Sequence, residues 1–469
     1  MTVGKIEIKP ANTGAIIAYV IISIVFFGTG ILCLVLLLGI TPVGETQTIG
    51  ELIVAFFATI NFASSTLAEY WWVLLVIAVG LLIVGFLVGW FLLYLTSKLG
   101  HILVYAGVAL YIVGAIVGVI MAIPFGGALF ALIGLAPAVM LVIGMFTNIN
   151  KFKRAGEFMK FTGQVVMAER GMLLAPVMIA FITVLNFLTM ASIFVLLVFV
   201  LQPIVPWLGY VIGSLASLVQ MIVYYGIFYI AEAINTTYAY EWYRKRDPDL
   251  KFCRKNVAGV FRPILTFGIV TAIVRWMQNM LRNAASNTKG NAAGVILAIL
   301  ARVVASVIGF IFKYLTYFTL PAIVVEGKNF KDGVKRSFDL LKKYYMDVLI
   351  RETGVQRGYN LLQWIAIFIY GILGVIGGFI YKMVDPSQTW TFAMLIFVIP
   401  AVIFASIPTF FIFRPMKTAY LTFVFAYAQD EEKSFRLPTR MPADLRGDMK
   451  EARKTMNKDK SIAAVVLRD

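Results

Sequence analysis

Four basic side chains and one carboxylate stand inside stretches otherwise built from Leu, Ile, Val and Phe: Arg275, Arg282, Arg302, Lys313 and Glu232. A charge at mid-bilayer costs about 2.5–3.5 kcal/mol on the insertion scale, so each marks either a structural ion pair or a pathway for a solute or proton. Arg302 lies near the middle of the apolar stretch 292–320, and Glu232 is the acidic residue in a nearby stretch, which predicts a Glu232–Arg302 pair. Arg275 and Arg282 are seven residues apart with Gln278 between them, and they share one polar helical face. Ahead of Glu232 come Tyr224, Tyr225, Phe228 and Tyr229. Aromatic faces beside a carboxylate suit a quaternary ammonium group, through cation–π attraction of roughly 0.5–2 kcal/mol per ring. The candidate pathway is therefore Glu232, Arg275, Gln278, Arg302, Tyr225 and Tyr229. A plainer reading of the same residues stands beside it. Glu232 and Arg302 hold helices together, Arg275 and Arg282 snorkel to an interface, and the aromatic run Tyr238 to Tyr243, next to Arg244-Lys245-Arg246, forms an interfacial belt.

Other chemistry lacks its parts. One histidine, His101, and the absence of a Gly-x-Ser-x-Gly, a Walker loop, a His-Glu-x-x-His or paired carboxylates in an apolar stretch leave hydrolysis and ATP-driven reactions without groups. No catalytic residue is therefore expected. Cys33 and Cys253 form neither a disulfide framework nor a metal pattern, so no metal and no cofactor is expected. The net charge of +17 invites a nucleic-acid reading, but the basic residues lie in short breaks between apolar runs and not on one face of a soluble fold. No nucleic-acid partner is expected.

The elements that must hold these side chains follow from hydropathy. A mean hydropathy of +0.88 is more apolar surface than one water-soluble core can hide, which makes the lipid bilayer the first partner. Spanning the hydrocarbon takes about 20 residues of helix, because only a helix satisfies its own backbone hydrogen bonds where water is absent. Ten stretches qualify: 14–40, 71–95, 102–122, 125–146, 172–201, 204–232, 263–285, 292–320, 359–381 and 391–413. The fold class is an all-α integral membrane protein. Positively charged loops resist translocation, and segments 1–13, 96–101, 147–170, 243–262, 326–358 and 414–469 carry 35 of the 41 Lys and Arg residues. Both termini are thus expected in the cytoplasm, and the plasma (cytoplasmic) membrane is the expected location. The chain divides into a four-helix region 1–146 with an exterior segment 41–70, a six-helix core 147–432 and a polar tail 433–469.

Three cytoplasmic segments have the pattern of surface-lying amphipathic helices. In the clearest, Phe330, Val334, Phe338, Leu341 and Tyr345 recur at helical spacing, while Lys331, Lys335, Arg336, Lys342 and Lys343 supply the basic side chains. Those five are the expected contacts to anionic lipid headgroups, each worth about 1 kcal/mol.

Several motifs carry a family likeness. The stretch Ile323-Val-Val-Glu-Gly-Lys-Asn-Phe330, followed by Lys335-Arg-Ser-Phe-Asp-Leu-Leu-Lys342, resembles the cytoplasmic segment of choline transporter-like membrane proteins. An uncharacterised prokaryotic polytopic family shares the same Val-Glu-Gly and Lys-Arg-Ser pattern. Segment 147–187, with Leu173-Leu-Ala-Pro-Val, is similar to the matching region of both, as is Tyr240-Glu-Trp-Tyr-Arg-Lys-Arg246 leading through Phe252-Cys253 to Arg275. The closing Tyr420-Leu-Thr-Phe-Val-Phe-Ala-Tyr-Ala-Gln-Asp430 resembles the last helix and acidic end of the transporter-like proteins. The resemblance covers roughly 147–432 and implies a transporter-like bundle handling choline, ethanolamine or another organic cation. Two function classes stand: a secondary transporter or channel-like protein for a small cationic or polar solute, and a non-transporting scaffold that binds lipids, another membrane protein or a second copy of itself.

Overall fold

A computed structural model describes residues 6–39, 48, 51, 71–122, 139, 149–197, 206–287, 292–384, 390–433 and 438–442. Eleven α-helices are described: α1 Thr13–Gly39, α2 Trp71–Ala122, α3 Ile149–Ala168, α4 Leu174–Leu196, α5 Pro206–Tyr243, α6 Leu250–Gly259, α7 Phe261–Asn287, α8 Ala292–Leu315, α9 Thr319–Glu326, α10 Phe330–Val384 and α11 Trp390–Lys433. A 3₁₀ turn, Arg170–Leu173, joins α3 to α4. Among the described residues there is no strand.

Seven helical stretches among the described residues are long and apolar enough to cross a membrane: Thr13–Leu36, Ile83–Val113, Arg170–Phe194, Val211–Tyr243, Phe261–Asn283, Leu297–Glu326 and Val355–Met383. Ten were expected. The expected spans 71–95 and 102–122 are one 52-residue helix, broken only at Leu99, where φ −114° and ψ 20° interrupt the helical geometry. The expected span 391–413 is helical within α11. The expected span 125–146 lies outside the described residues apart from Val139. So do the exterior segment 41–70 apart from Thr48 and Glu51, and the tail 433–469 apart from 433 and 438–442.

Helix length departs from expectation more than helix number does. At 1.5 Å per residue, α5 with its 38 residues is about 57 Å long, well beyond a hydrocarbon core of about 30 Å. Its last turns therefore need protein, not lipid, around them, and residues 231–244 are all buried. This corrects the aromatic-belt reading, since Tyr240 and Tyr243 are 1% and 0% exposed. Likewise, Phe330 to Leu349 is not a separate surface helix but the start of the 55-residue α10.

The chain folds as two compact units. The first comprises residues 1–78, 174–238 and 248–339. There α1 lies along α4, with Phe26 and Cys33 packed on Ile193, Leu197 and Val223. The close approach of α5 and α7 rests on a glycine pair, because a Cβ on Gly268 would stand 3.1 Å from the Cα of Gly226. A capping side chain starts α6: the Asp249 carboxylate accepts the Phe252 N–H at 2.6 Å. Gly327 ends α9 at φ +63°, the left-handed conformation that closes many helices. At the start of α10, Gly333 and Ser337 turn to α9, where the Phe318 N–H donates to Ser337 Oγ at 2.8 Å. Phe338, assigned to the apolar stripe from spacing, is 49% exposed.

The second unit comprises residues 79–173, 239–247 and 340–469. Its α3 buries Ala155, Phe158, Met159, Thr162, Val165 and Val166, a stripe of helical period. That stripe lies on α11 and not on lipid, through Phe158 on Tyr420 and Phe161 on Phe423 with ring centroids 5.8 and 4.8 Å apart. Burial of each such Phe contributes about 1.5–3 kcal/mol.

Candidate functional site

Tyr225, Tyr229 and Glu232 stand at i, i+4 and i+7 on α5, one face of the helix. Within the first unit, that face meets a stripe on α7 formed by Phe267, Thr271, Arg275 and Gln278 at the same kind of spacing. Tyr229 stacks on Phe267 with centroids 4.2 Å apart, and its hydroxyl lies 3.3 Å from Thr271 Oγ1. Tyr225 stacks on Tyr229 at 6.3 Å, and Phe228 stands edge-on to Tyr229 at 5.0 Å. A buried carboxylate, 6% exposed, thus shares its surroundings with a ladder of aromatic rings and a guanidinium.

Gln278 positions that guanidinium. It is 2% exposed, its Nε2 donates to the Ala305 carbonyl of α8 at 2.8 Å, and its Oε1 accepts from Arg275 Nη1 at 3.1 Å. Gly309 leaves room for it, since a Cβ there would stand 2.3 Å from Gln278 Nε2. One side chain therefore bridges α7 to α8 and orients Arg275, which is itself exposed.

Arg302 is not brought into this group. Its side chain is exposed on α8, and no Glu232–Arg302 pair is present among the described residues. The expectation took helix proximity from sequence order, which cannot fix the rotation of α8. Of the expected headgroup contacts, Lys331, Lys335 and Lys342 are exposed. Arg336 reaches Glu326 and Lys343 reaches Glu432, at 3.3 and 3.5 Å. Among the described residues, no group of three or more His, Cys, Asp or Glu side chains could hold a metal.

Sequence reasoning missed a second cluster, within the other unit. Arg244 and Asp430 form a bidentate pair, at 2.6 Å from Nη2 to Oδ1 and 2.9 Å from Nη1 to Oδ2, with both side chains 2% exposed. Tyr243 donates to the same carboxylate, Tyr240 donates to Gln429 Oε1 at 3.0 Å, and the guanidinium lies 5.1 and 5.2 Å from the Tyr240 and Tyr243 ring centres. Burial pushes the Arg244 guanidinium down, but Asp430 and Tyr240 more than offset that and hold it above its ordinary value. The tail adds a cover: the Arg440 N–H donates to the Tyr243 carbonyl at 2.9 Å, and its guanidinium lies 5.0 Å from the Trp242 ring. Nearby, burial raises the Glu169 carboxyl above the usual carboxylate range. The charge of Asp247 adds to that rise and Arg440 opposes it. The available signal was the run Gln429-Asp430-Glu431-Glu432 that follows the largely apolar stretch 420–428.

No curated protein matches the chain significantly. A family model described as plasma-membrane choline transporter matches residues 132–432, which takes in α3 through nearly all of α11 and every residue of both clusters except Arg440. With well over half its length matched and its helices apolar enough to cross a bilayer several times, this chain is a multi-pass integral membrane protein that belongs to the plasma-membrane choline transporter family.

Proposed function

We propose that the protein is a secondary transporter for a small organic cation, with choline and ethanolamine as the first candidates, and that the α5–α7 face of the first unit forms the cation site. One observation carries this reading: a buried carboxylate, Glu232, shares a helical face with the stacked rings of Tyr225 and Tyr229. A cation desolvated there keeps a countercharge in Glu232 and gains roughly 0.5–2 kcal/mol from each ring it faces. The family match supports the substrate class. Arg275 carries the same sign as the cargo and acts on the same surroundings, so an arriving cation competes with it electrostatically. Gln278 limits where Arg275 can go. The charge asymmetry of the loops supports a cytoplasmic placement of both termini in the plasma membrane. Lys331, Lys335 and Lys342 are then free to meet anionic headgroups.

The test is uptake of labelled choline and labelled ethanolamine into liposomes holding the purified protein, with Glu232→Gln alongside. The reading predicts saturable uptake of at least one of them, reduced about tenfold or more by the substitution. Uptake of neither, or uptake indifferent to Glu232→Gln, would overturn it.

A further inference from the structure

A cavity of about 260 Å³ opens in the first unit where three chain segments meet: the stretch before α1, the α6–α7 junction and the α9–α10 junction. Lys9, Asn12, Gly259, Arg262, Gly327 and Asn329 are among the residues that line it. The arrangement is built and not incidental. The Asn12 backbone N–H donates to the Ala258 carbonyl, its side-chain amide donates to the Gly259 carbonyl, and Lys9 Nζ donates to the Gly327 carbonyl, at 3.1, 3.1 and 2.6 Å. Two glycines make room for Lys9. A Cβ on Gly259 would stand 2.5 Å from the Lys9 carbonyl oxygen, and one on Gly327 would stand 3.0 Å from Lys9 Cε.

The wall has one sign. Lys9 and Arg262 bring two positive charges, and no Asp or Glu is among the described residues that line the cavity. Glu326, next to Gly327 in the chain, is held by Lys328 and Arg336 at 3.3 Å each. Arg262 has no ion pair among the described residues. The Asn329 Oδ1 is taken by the Asp332 N–H at 2.9 Å, which leaves its amide end to donate. Donors and positive charge without a countercharge fit a tetrahedral oxyanion, for which Lys supplies a point charge and Arg a fork.

We propose that this cavity binds a phosphate group, carried either by a lipid headgroup or by a soluble phosphate. The bound anion ties the segment ahead of α1 to the junctions that begin α7 and α10. It does not rest on the cation site, since none of its residues belongs to that face.

The full-length protein would be extracted from phosphatidylcholine vesicles with and without phosphatidic acid, and retained lipid counted by native mass spectrometry. Inorganic phosphate would be the soluble probe, read by the shift it causes in thermal unfolding. Wild type retains phosphatidic acid, Arg262→Gln lowers retention about fivefold, and Lys9→Gln/Arg262→Gln lowers it further. Arg262→Lys keeps most of it. A stabilising shift with inorganic phosphate that Arg262→Gln abolishes, without lipid retention, supports the same chemistry with a soluble source. Because Arg262 is exposed, its single substitution leaves folding intact and keeps the test decisive. Equal retention by wild type and Arg262→Gln, or no response to either anion, overturns the proposal.

Discussion

Two polar clusters, one in each unit, treat charge in opposite ways. At Arg244, the guanidinium, the Asp430 carboxylate, two tyrosine rings and Gln429 close on each other with both ions 2% exposed. At Glu232, the carboxylate shares a helical face with stacked rings, while the Arg275 guanidinium on α7 is exposed and bonded to a neutral amide. Ions locked face to face have little left to offer a ligand; a carboxylate set beside aromatic rings matches what an organic cation needs. The proposed cation site draws on that difference: an architectural role is expected of the first cluster and transport of the second.

The sharpest way to break the comparison is at the clamp. Arg244→Met takes the guanidinium away from the buried Asp430 carboxylate and should cost about 3–5 kcal/mol, read from thermal or denaturant unfolding in detergent. Pairing it with Asp430→Leu should restore much of that loss, because replacing both ions removes the stranded charge. Next in size, Gln278→Ala removes the side-chain bridge to the Ala305 carbonyl and releases Arg275. Stability should fall by about 1–3 kcal/mol and uptake should fall with it, which separates this residue from Glu232, whose Gln substitution should lower uptake with a much smaller change in unfolding.

Substitutions in the aromatic ladder should have smaller effects. Tyr229→Phe keeps the ring and loses only the hydroxyl contact with Thr271, so the concentration for half-maximal uptake should move little. Tyr229→Leu removes the ring and should raise that concentration by a factor consistent with roughly 0.5–2 kcal/mol. A ladder that only packs helices would show both substitutions in unfolding and neither in uptake.

Much of this contrast is legible in the amino-acid sequence. Apolar length fixed the helical membrane class, and spacing placed Tyr225, Tyr229 and Glu232 together because i, i+4 and i+7 is a property of one helix. Gln278 was legible as a polar residue between two arginines, but its bond to Ala305 was not, since that depends on how α8 is rotated against α7. The same ignorance produced the expected Glu232–Arg302 pair, which is not found among the described residues. Arg244 and Asp430 lie 186 residues apart, and no local pattern links them. The amphipathic segments were legible as helices but not by partner. An apolar stripe on α3 looks the same whether it meets lipid or Phe423 of α11.

The smallest expected effect concerns pH and belongs to the clamp's margin. The Glu169 carboxyl is raised, so its ionised form is disfavoured in the folded protein. That cost is present above the folded-state pKa and is relieved as the pH falls through it towards the unfolded value. Wild type should therefore gain slightly on Glu169→Gln in thermal stability as the medium is made acidic, and the gap should be flat at alkaline pH.

Whether the Glu232 region takes a cation from water is most directly read by thiol labelling. In a background with Cys33 and Cys253 replaced, Tyr225→Cys would be exposed to a small cationic thiol reagent, with and without choline. The account predicts modification that choline slows and that Glu232→Gln also slows by removing the countercharge. A thiol that the reagent never reaches, or one modified at the same rate whether or not choline is present, would contradict it.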